Sequence, residues 1–366
     1  VREKRAPAGA KGTVLCEAGE VMPDAPNARP SFLFEGPRPR VARLTTTSTR
    51  FARESDADRA AIVELQEGLA AEPLPWLPSK YFYDERGSRL FEQITELPEY
   101  YLTRAETTVL AFAAGEIARA APARELVELG GGASPKLRLL IDALVGEGLA
   151  GCLLLDISPE ALRRSVASLG RDYPQLAVRG LVGDFVHDLR ALGAGGGRLV
   201  AFLGSTIGNL HPEREVPAFL SLLRRQLAPG DALLLGVDLV KDRAVLEAAY
   251  NDSRGVTAEF NRNILRVVNR RFGADFDPAA FGHVAFFDER EGWIEMRLRA
   301  LRPVRVRVRA AGLTLDLAAG GEIRTEISCK YTRQRVEQCA RGTGLALERW
   351  FSDPERLFGL ALLRPR

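Results

Sequence analysis

The sequence predicts an α/β protein of Rossmann-like type, with a mostly parallel sheet, on three observations. Between about residues 105 and 240, short apolar runs ending in Gly or Asp alternate with helical stretches: ELVELGGG, GCLLLD, LAVRGLVGDF, RLVAFLG and DALLLGVDL. These runs are continuous in hydrophobicity, as strands buried on both faces require. Two of them are followed by Ser134-Pro135 and Ser158-Pro159, the N-cap and first-turn pair that opens a helix.

Taken in order, residues 1 to 52 are rich in Ala, Arg, Pro and Thr, and hold nine basic residues against five acidic ones. With no sustained apolar period they read as a flexible tail, with a basic partner-binding arm as the functional rival. Ser55 with Asp58 forms a capping box for a helix carrying Ile62, Leu65 and Leu69 on one face and stopped by Pro73. Aromatic residues then gather: Trp76, Tyr81, Phe82, Tyr83, Phe91, Tyr100 and Tyr101. Thr103 with Glu106 reads as a second capping box, and the alternating strand and helix pattern begins there.

After residue 241 the rhythm changes. One long helical stretch, KDRAVLEAAYNDSRGVTAEFNRNILRVVNRRF, leads into HVAFFD, WIEMRLRA, RVRVRA, LTLDLA and EIRTEISCKY, whose period-2 alternation predicts an antiparallel sheet. The same alternation makes RVRVR a half-solvated strand rather than a basic patch. A helix near 332 to 343 and two apolar strands, LALERWF and LFGLALL, close the chain. These strands are expected to return to the first sheet, making the antiparallel segment an inserted α+β domain. The division expected is a tail over 1–52, one domain from 53–104 and 241–330, and the parallel-sheet domain from 105–240 and 331–366.

Composition narrows the function. The 366 residues allow about two domains at ~100–200 residues each. Lys and Arg number 51 against 48 Asp and Glu, and the excess lies in the first 52 residues, so a nucleic-acid surface is not expected. Four cysteines without CxxC spacing and three histidines without HExxH remove a disulfide scaffold and a zinc site. No apolar run approaches the ~18 residues of a membrane span, and VREKRAPAGAKG has charge without a leader's apolar stretch. A cytoplasmic protein with no membrane, metal or obligate protein partner is expected.

The first strand ends in Glu128-Leu-Gly130-Gly-Gly132-Ala-Ser134, directly before a helix. Glycine lets backbone approach a ligand, and the helix start offers N–H groups to an anion. Pro135 stands where a dinucleotide fingerprint wants its third glycine, which disfavours a nicotinamide-dependent oxidoreductase. Asp156 and Asp184 end the next two strands. Three acids at consecutive strand ends, with no P-loop lysine, fit a nucleoside without phosphates, and S-adenosylmethionine is such a ligand. Its carboxylate would meet the glycine turn and Lys136, its ribose Asp156, and its adenine Asp184 and Phe185.

GSTIGNL adds Ser205, Thr206 and Asn209 at the carboxyl edge of the fourth strand. With LPSKYFYDERGSRLFEQITELPEYYLTRAE, ELGGGASPK, LLLDIS, GDF, FLGSTIGN, AAYNDSRGVTAEFNRN and EIRTEISCKY in this order over 75–366, the chain resembles the L-histidine Nα-methyltransferases of ergothioneine biosynthesis. It reads GGG where many members read GSG. The resemblance implies a class I methyltransferase fold and transfer of three methyl groups from S-adenosylmethionine to the α-nitrogen of L-histidine, giving hercynine. It implies that Tyr100, Asn209 and Tyr250 hold the histidine, the last two at its carboxylate. Tyr83 and Gly204 would surround the reacting amine, Glu326 and Ser328 would read the imidazole, and Met296 would wall the ring. Gly130, Lys136, Asp156, Asp184 and Phe185 match cofactor contacts.

The residues support this beside the resemblance. Glu326 and Ser328 are two apart on an expected strand and so share a face. A carboxylate can accept an N–H from one imidazole nitrogen while a hydroxyl serves the other, which a phenyl or indole side chain could not satisfy. The rivals are the same chemistry on an indole-bearing amino acid and a catalytically silent adenosylmethionine binder. His187 and His211 are expected as solvated or cap residues.

Overall fold

A computed structural model describes residues 13–15, 21–23, 33–35, 43–45, 50–130, 134–193 and 195–366. Within the expected tail lie four three-residue strands, β1 (Thr13–Leu15), β2 (Val21–Pro23), β3 (Leu33–Glu35) and β4 (Arg43–Thr45). Helix α1 (Arg50–Leu69) precedes a 3-10 turn at Ser79–Phe82, then α2 (Glu85–Thr95) and α3 (Leu102–Ala120). Both expected capping boxes are corrected here: α1 is already running at Ser55, and Tyr101 is the N-cap of α3, so Thr103 and Glu106 lie inside it.

The alternating pattern forms as expected: β5 (Glu125–Leu129), α4 (Pro135–Val145), β6 (Gly151–Asp156), α5 (Pro159–Asp172), β7 (Ala177–Val182), β8 (Arg198–Phe202), α6 (Glu215–Arg224) and β9 (Ala232–Asp238). Ser134 and Ser158 cap α4 and α5 by accepting from Leu137 and Ala161 N–H, each with Pro in the first turn. The single long helix is corrected to two, α7 (Arg243–Ala248) and α8 (Val256–Phe272), because Gly255 turns the chain at φ 71° between them. Then come β10 (Phe281–Asp288), β11 (Trp293–Ala300), β12 (Val304–Val308), β13 (Leu313–Leu317), β14 (Glu322–Cys329), α9 (Arg333–Ala340), β15 (Leu345–Ser352) and β16 (Phe358–Pro365). The single antiparallel sheet is also corrected: β10-β11-β14 form one sheet and β12-β13 a separate hairpin.

The main sheet has the order β15-β16-β9-β8-β5-β6-β7-β3-β4. Strands β5 to β9 are parallel, while β16 runs antiparallel to β9 and β3 antiparallel to β7. This is an α/β sheet of Rossmann-like type, mostly parallel with antiparallel edges. The inserted strands β10 to β14 lie in the chain between β9 and β16, which pair with each other.

Burial explains why the strand sequences are continuously apolar. Leu126 of β5 packs into the core on one face of the sheet, and Val127 and Leu129 into the core on the other. Strand order reverses between β5 and β8, and such a switch point leaves a crevice at the carboxyl ends of those strands. Gly130 and Gly204 lie there. Among the described residues no helix is long and apolar enough to cross a membrane.

Candidate active site

Local backbone chemistry fixes the cofactor edge. Gly130 follows β5 at φ 69°, a conformation that side chains disfavour, and turns the chain toward α4. Gly131, Gly132 and Ala133 lie outside the described residues. Asp156 ends β6 with Oδ1 accepting the Ser158 N–H at 2.7 Å, and Asp184 follows β7 with Oδ1 accepting the Val186 N–H at 2.8 Å. Each carboxylate is held by a backbone N–H two residues on, so a short segment suffices to aim it. The ring of Phe185 packs 5.0 Å from Phe202 and 6.1 Å from Phe219, beside Gly130.

Glu128 is fully buried at the end of β5. Burial raises its carboxyl well above the usual range, with Asp156 and Glu106 adding to the effect, and Oε2 has no partner among the described residues. A buried polar atom without a partner is costly. Orphaned beside the glycine turn, it suits a polar ligand there. The three acids, the α4 N-terminus and the ring of Phe185 thus fit S-adenosylmethionine.

Glu106, read in the sequence as a cap partner, joins the two sides of the crevice. It is completely buried in α3, where both oxygens receive the Gly204 N–H at 2.8 and 3.0 Å, and Oε2 takes the ammonium of Lys136 from α4. Gly204 follows β8 at φ 72° with its N–H already taken by Glu106. Ser205 follows at φ 56°, unusual for a residue with a side chain, and its Oγ accepts the Asp238 N–H at 2.9 Å. Asn209, half-buried, closes the 3-10 turn Thr206–Asn209.

The structure brings the expected histidine-binding residues together from distant segments. Met296 on β11 stands directly opposite Glu326 on β14, and Ile294 opposite Ser328, so the four share one face of the antiparallel sheet. A β-bulge resets this register: Met296 pairs with Glu326 and Arg297 with Arg324, leaving Thr325 as the extra residue. Thr325 Oγ1 donates to Asn261 Oδ1 at 2.7 Å, anchoring the bulge to α8. The Tyr250 hydroxyl lies 2.8 Å from Ser328 Oγ, and its ring is 6.4 Å from that of Tyr100. Tyr83 follows the Ser79–Phe82 turn and packs edge-on to Phe91 and Phe260 at 5.8 and 5.7 Å.

The electrostatics of these groups are coupled. Burial raises the phenol of Tyr83, and the carboxylates of Glu326 and Asp156 add to it; burial also raises Tyr100 and Tyr250. These tyrosines stay protonated. Burial pushes the carboxyl of Glu326 up to about 8, although the Lys330 ammonium opposes this.

Sequence reading missed a layer behind this wall. Lys330 is completely buried between Asp238, Tyr250 and Ser328, and Asp238 also takes Lys241 and the Tyr101 hydroxyl. His283 lies with Nε2 2.9 Å from the Tyr250 carbonyl and Nδ1 2.8 Å from Asn261 Nδ2. As a donor at Nε2 and an acceptor at Nδ1 the ring is a neutral imidazole, and burial lowers its pKa accordingly. The available signal was the continued alternation Glu326, Ser328, Lys330. His187 is exposed, and His211 accepts the Glu213 N–H, as expected of solvated and cap residues.

Comparison with known proteins agrees with this geometry. Residues 61–365 match the model of the family described as histidine-specific methyltransferase, SAM-dependent. A histidine N-alpha-methyltransferase of Mycolicibacterium smegmatis is 46% identical over 87% of this chain and 99% of its own length. Another of that name from Mycobacterium tuberculosis is 47% identical over 82% of this chain and 93% of its own. Ergothioneine biosynthesis protein 1 of Neurospora crassa is 33% identical over 78% of this chain, which spans only 33% of that longer protein. With Glu326 and Ser328 on one face opposite Met296, and three acids on the cofactor edge, the chain belongs to the family of histidine-specific, S-adenosylmethionine-dependent methyltransferases.

Proposed function

We propose that the protein transfers three methyl groups, one at a time, to the α-amino nitrogen of L-histidine, yielding Nα,Nα,Nα-trimethylhistidine for ergothioneine biosynthesis. The observation that carries this reading is the shared face of Glu326 and Ser328, closed by Met296 and joined through the Tyr250 hydroxyl to the pocket of Tyr83 and Tyr100. Two polar groups on an otherwise apolar and aromatic wall suit a ring with two nitrogens. An indole would leave one of them unpaired.

S-adenosylmethionine supplies an electrophilic methyl group on a sulfonium. Asp156 would take the ribose hydroxyls, Asp184 and Phe185 the adenine, and Lys136 with the turn at Gly130 the carboxylate. On the substrate side, Asn209 would hold the histidine carboxylate, with the Tyr250 hydroxyl beside it sharing one free O–H with Ser328. Gly204, its N–H held by Glu106, would meet the amine through its carbonyl, which can accept an N–H. Tyr83, its phenol kept neutral by burial, orients the amine through its hydroxyl rather than by removing a proton as a phenolate. As methylation removes N–H donors, the faces of Tyr83 and Tyr100 stabilise the growing ammonium by cation–π contact, about 0.5–2 kcal/mol each.

We read 105–240 with 331–366 as the cofactor domain and 53–104 with 241–330 as the substrate domain. We also place the reaction in the cytoplasm, a compartment that suits the free thiols of Cys152, Cys329 and Cys339. Incubation with histidine and S-adenosylmethionine followed by mass spectrometry tests the function: mono-, di- and trimethylated histidine should accumulate in turn. Methylated tryptophan in preference to histidine would overturn it.

A further inference from the structure

Lys330, the residue just past the end of β14, continues the spacing of Glu326 and Ser328 and is completely buried. Nζ lies 2.8 Å from Asp238 Oδ2, 2.9 Å from Ser328 Oγ and 3.1 Å from the Tyr250 hydroxyl, and 4.8 Å from the Tyr250 ring centroid. An ammonium has three N–H donors, and these three acceptors use them all. Lys330 therefore has no donor left for a ligand and can act only through its neighbours. Asp238 does not depend on it, because its carboxylate already receives the Lys241 ammonium at 2.5 Å and the Tyr101 hydroxyl at 2.8 Å. What Lys330 alone supplies is a donor to each of two hydroxyls that also bond to one another at 2.8 Å.

Two hydroxyls carry two protons. Lys330 donates to both oxygens, and the bond between them takes one proton, so a single O–H remains to point out of the triangle. We propose that Lys330 is a positioning residue that locks the Tyr250 and Ser328 hydroxyls into one shared orientation and leaves the pair with a single donor for histidine. The proposal rests on the substrate site described above. It follows that Tyr250 and Ser328 do not both donate to the same histidine: the ring nitrogen and the carboxylate compete for one O–H, and Asn209 serves the carboxylate when the ring takes it. Without Lys330 both hydroxyls rotate freely, and the pocket loses its fixed pattern of one donor beside Glu326.

The test is a double-mutant cycle on histidine affinity, measured by calorimetry with S-adenosylhomocysteine bound. Lys330→Met should raise the histidine Kd about tenfold or more, leave S-adenosylhomocysteine affinity unchanged, and be partly rescued by Lys330→Gln, which keeps N–H donors. In a Tyr250→Phe/Ser328→Ala background the same Lys330→Met substitution should change the histidine Kd by less than about threefold, since the hydroxyls through which it acts are gone. Should Lys330→Met not fold, Lys330→Gln takes its place in the cycle with the same expected non-additivity. An equal loss in both backgrounds, or an equal loss of S-adenosylhomocysteine affinity, would overturn the positioning role. If Tyr250→Phe/Ser328→Ala by itself left histidine affinity unchanged, the substrate-site reading would fall and the proposal with it.

Discussion

The cofactor edge and the substrate wall proposed for this crevice are built by opposite means. At the cofactor edge, Asp156 and Asp184 are aimed by backbone N–H groups two residues away, so each is complete within a few consecutive residues. At the substrate wall, Tyr83, Tyr250, Met296 and the pair Glu326 and Ser328 come from four segments. A bulge at Thr325, the buried Asp238, Lys330 and Asn261, and the half-buried His283 hold that wall in place. The first design tolerates changes elsewhere in the chain. In the second, on the proposed reading, specificity would depend on polar groups behind the wall as well as on those in it.

This contrast is sharpest at Glu326. Replacing it with Leu removes the acceptor for an imidazole N–H while leaving the cofactor edge intact. The ratio of kcat/KM for histidine over tryptophan should fall by about 10²-fold or more, because a mismatched ring then leaves fewer polar groups unpaired. An unchanged ratio would remove Glu326 from ring recognition. On the other side, Asp156→Ala should weaken S-adenosylmethionine and its demethylated product alike. Loss of an ionised acceptor worth ~1.5–3 kcal/mol corresponds to about 10- to 100-fold in Kd, with histidine affinity at saturating cofactor little changed. Wild-type cofactor titrations would refute the ribose assignment.

Glu106 should break the separation, because it holds Lys136 on one side and Gly204 on the other. Glu106→Gln keeps an acceptor for the Gly204 N–H but removes the charge facing Lys136. Cofactor affinity should drop about tenfold, with a smaller loss for histidine. Equal losses in both would show that the substitution acts through the fold as a whole.

Stability should also depend on pH. The carboxyl of Glu326 is raised from 4.5 to about 8 by burial, so between these values the folded protein keeps a proton that the unfolded chain has released. The stability this contributes is present below 4.5 and is lost as pH rises through about 8, with a slope of at most ~1.4 kcal/mol per pH unit. In Glu326→Gln that contribution disappears. Denaturant titrations of both proteins across this window should diverge accordingly, whereas parallel curves would show that the carboxyl titrates normally.

The same contrast explains how much of the molecule was legible in its sequence. Strands β5 to β9 announce themselves because burial on both faces makes them continuously apolar, and Ser134-Pro135 and Ser158-Pro159 mark the helices that follow. The strand-end positions of Asp156 and Asp184 were legible for the same local reason. Glu106 was misread because Thr103 with Glu106 satisfies capping-box spacing whether the helix starts there or at Leu102, and local spacing carries no sign of a partner 98 residues away at Gly204. The split of the expected antiparallel sheet escaped notice because β12-β13 alternates just as β10, β11 and β14 do. Lys330 and Asp238 are each unremarkable in sequence, and only the approach of β14 to the end of β9 makes them a pair.

The most direct test of the account is where on histidine the methyl groups go. Histidine offers three nitrogens, and the wall assigned here engages both ring nitrogens with Glu326 and Ser328, leaving the α-amine to face Gly204 and Tyr83. Nuclear magnetic resonance of the product formed with a labelled methyl donor should place every methyl group on the α-nitrogen. A methyl group on either ring nitrogen would contradict the orientation on which the site is built.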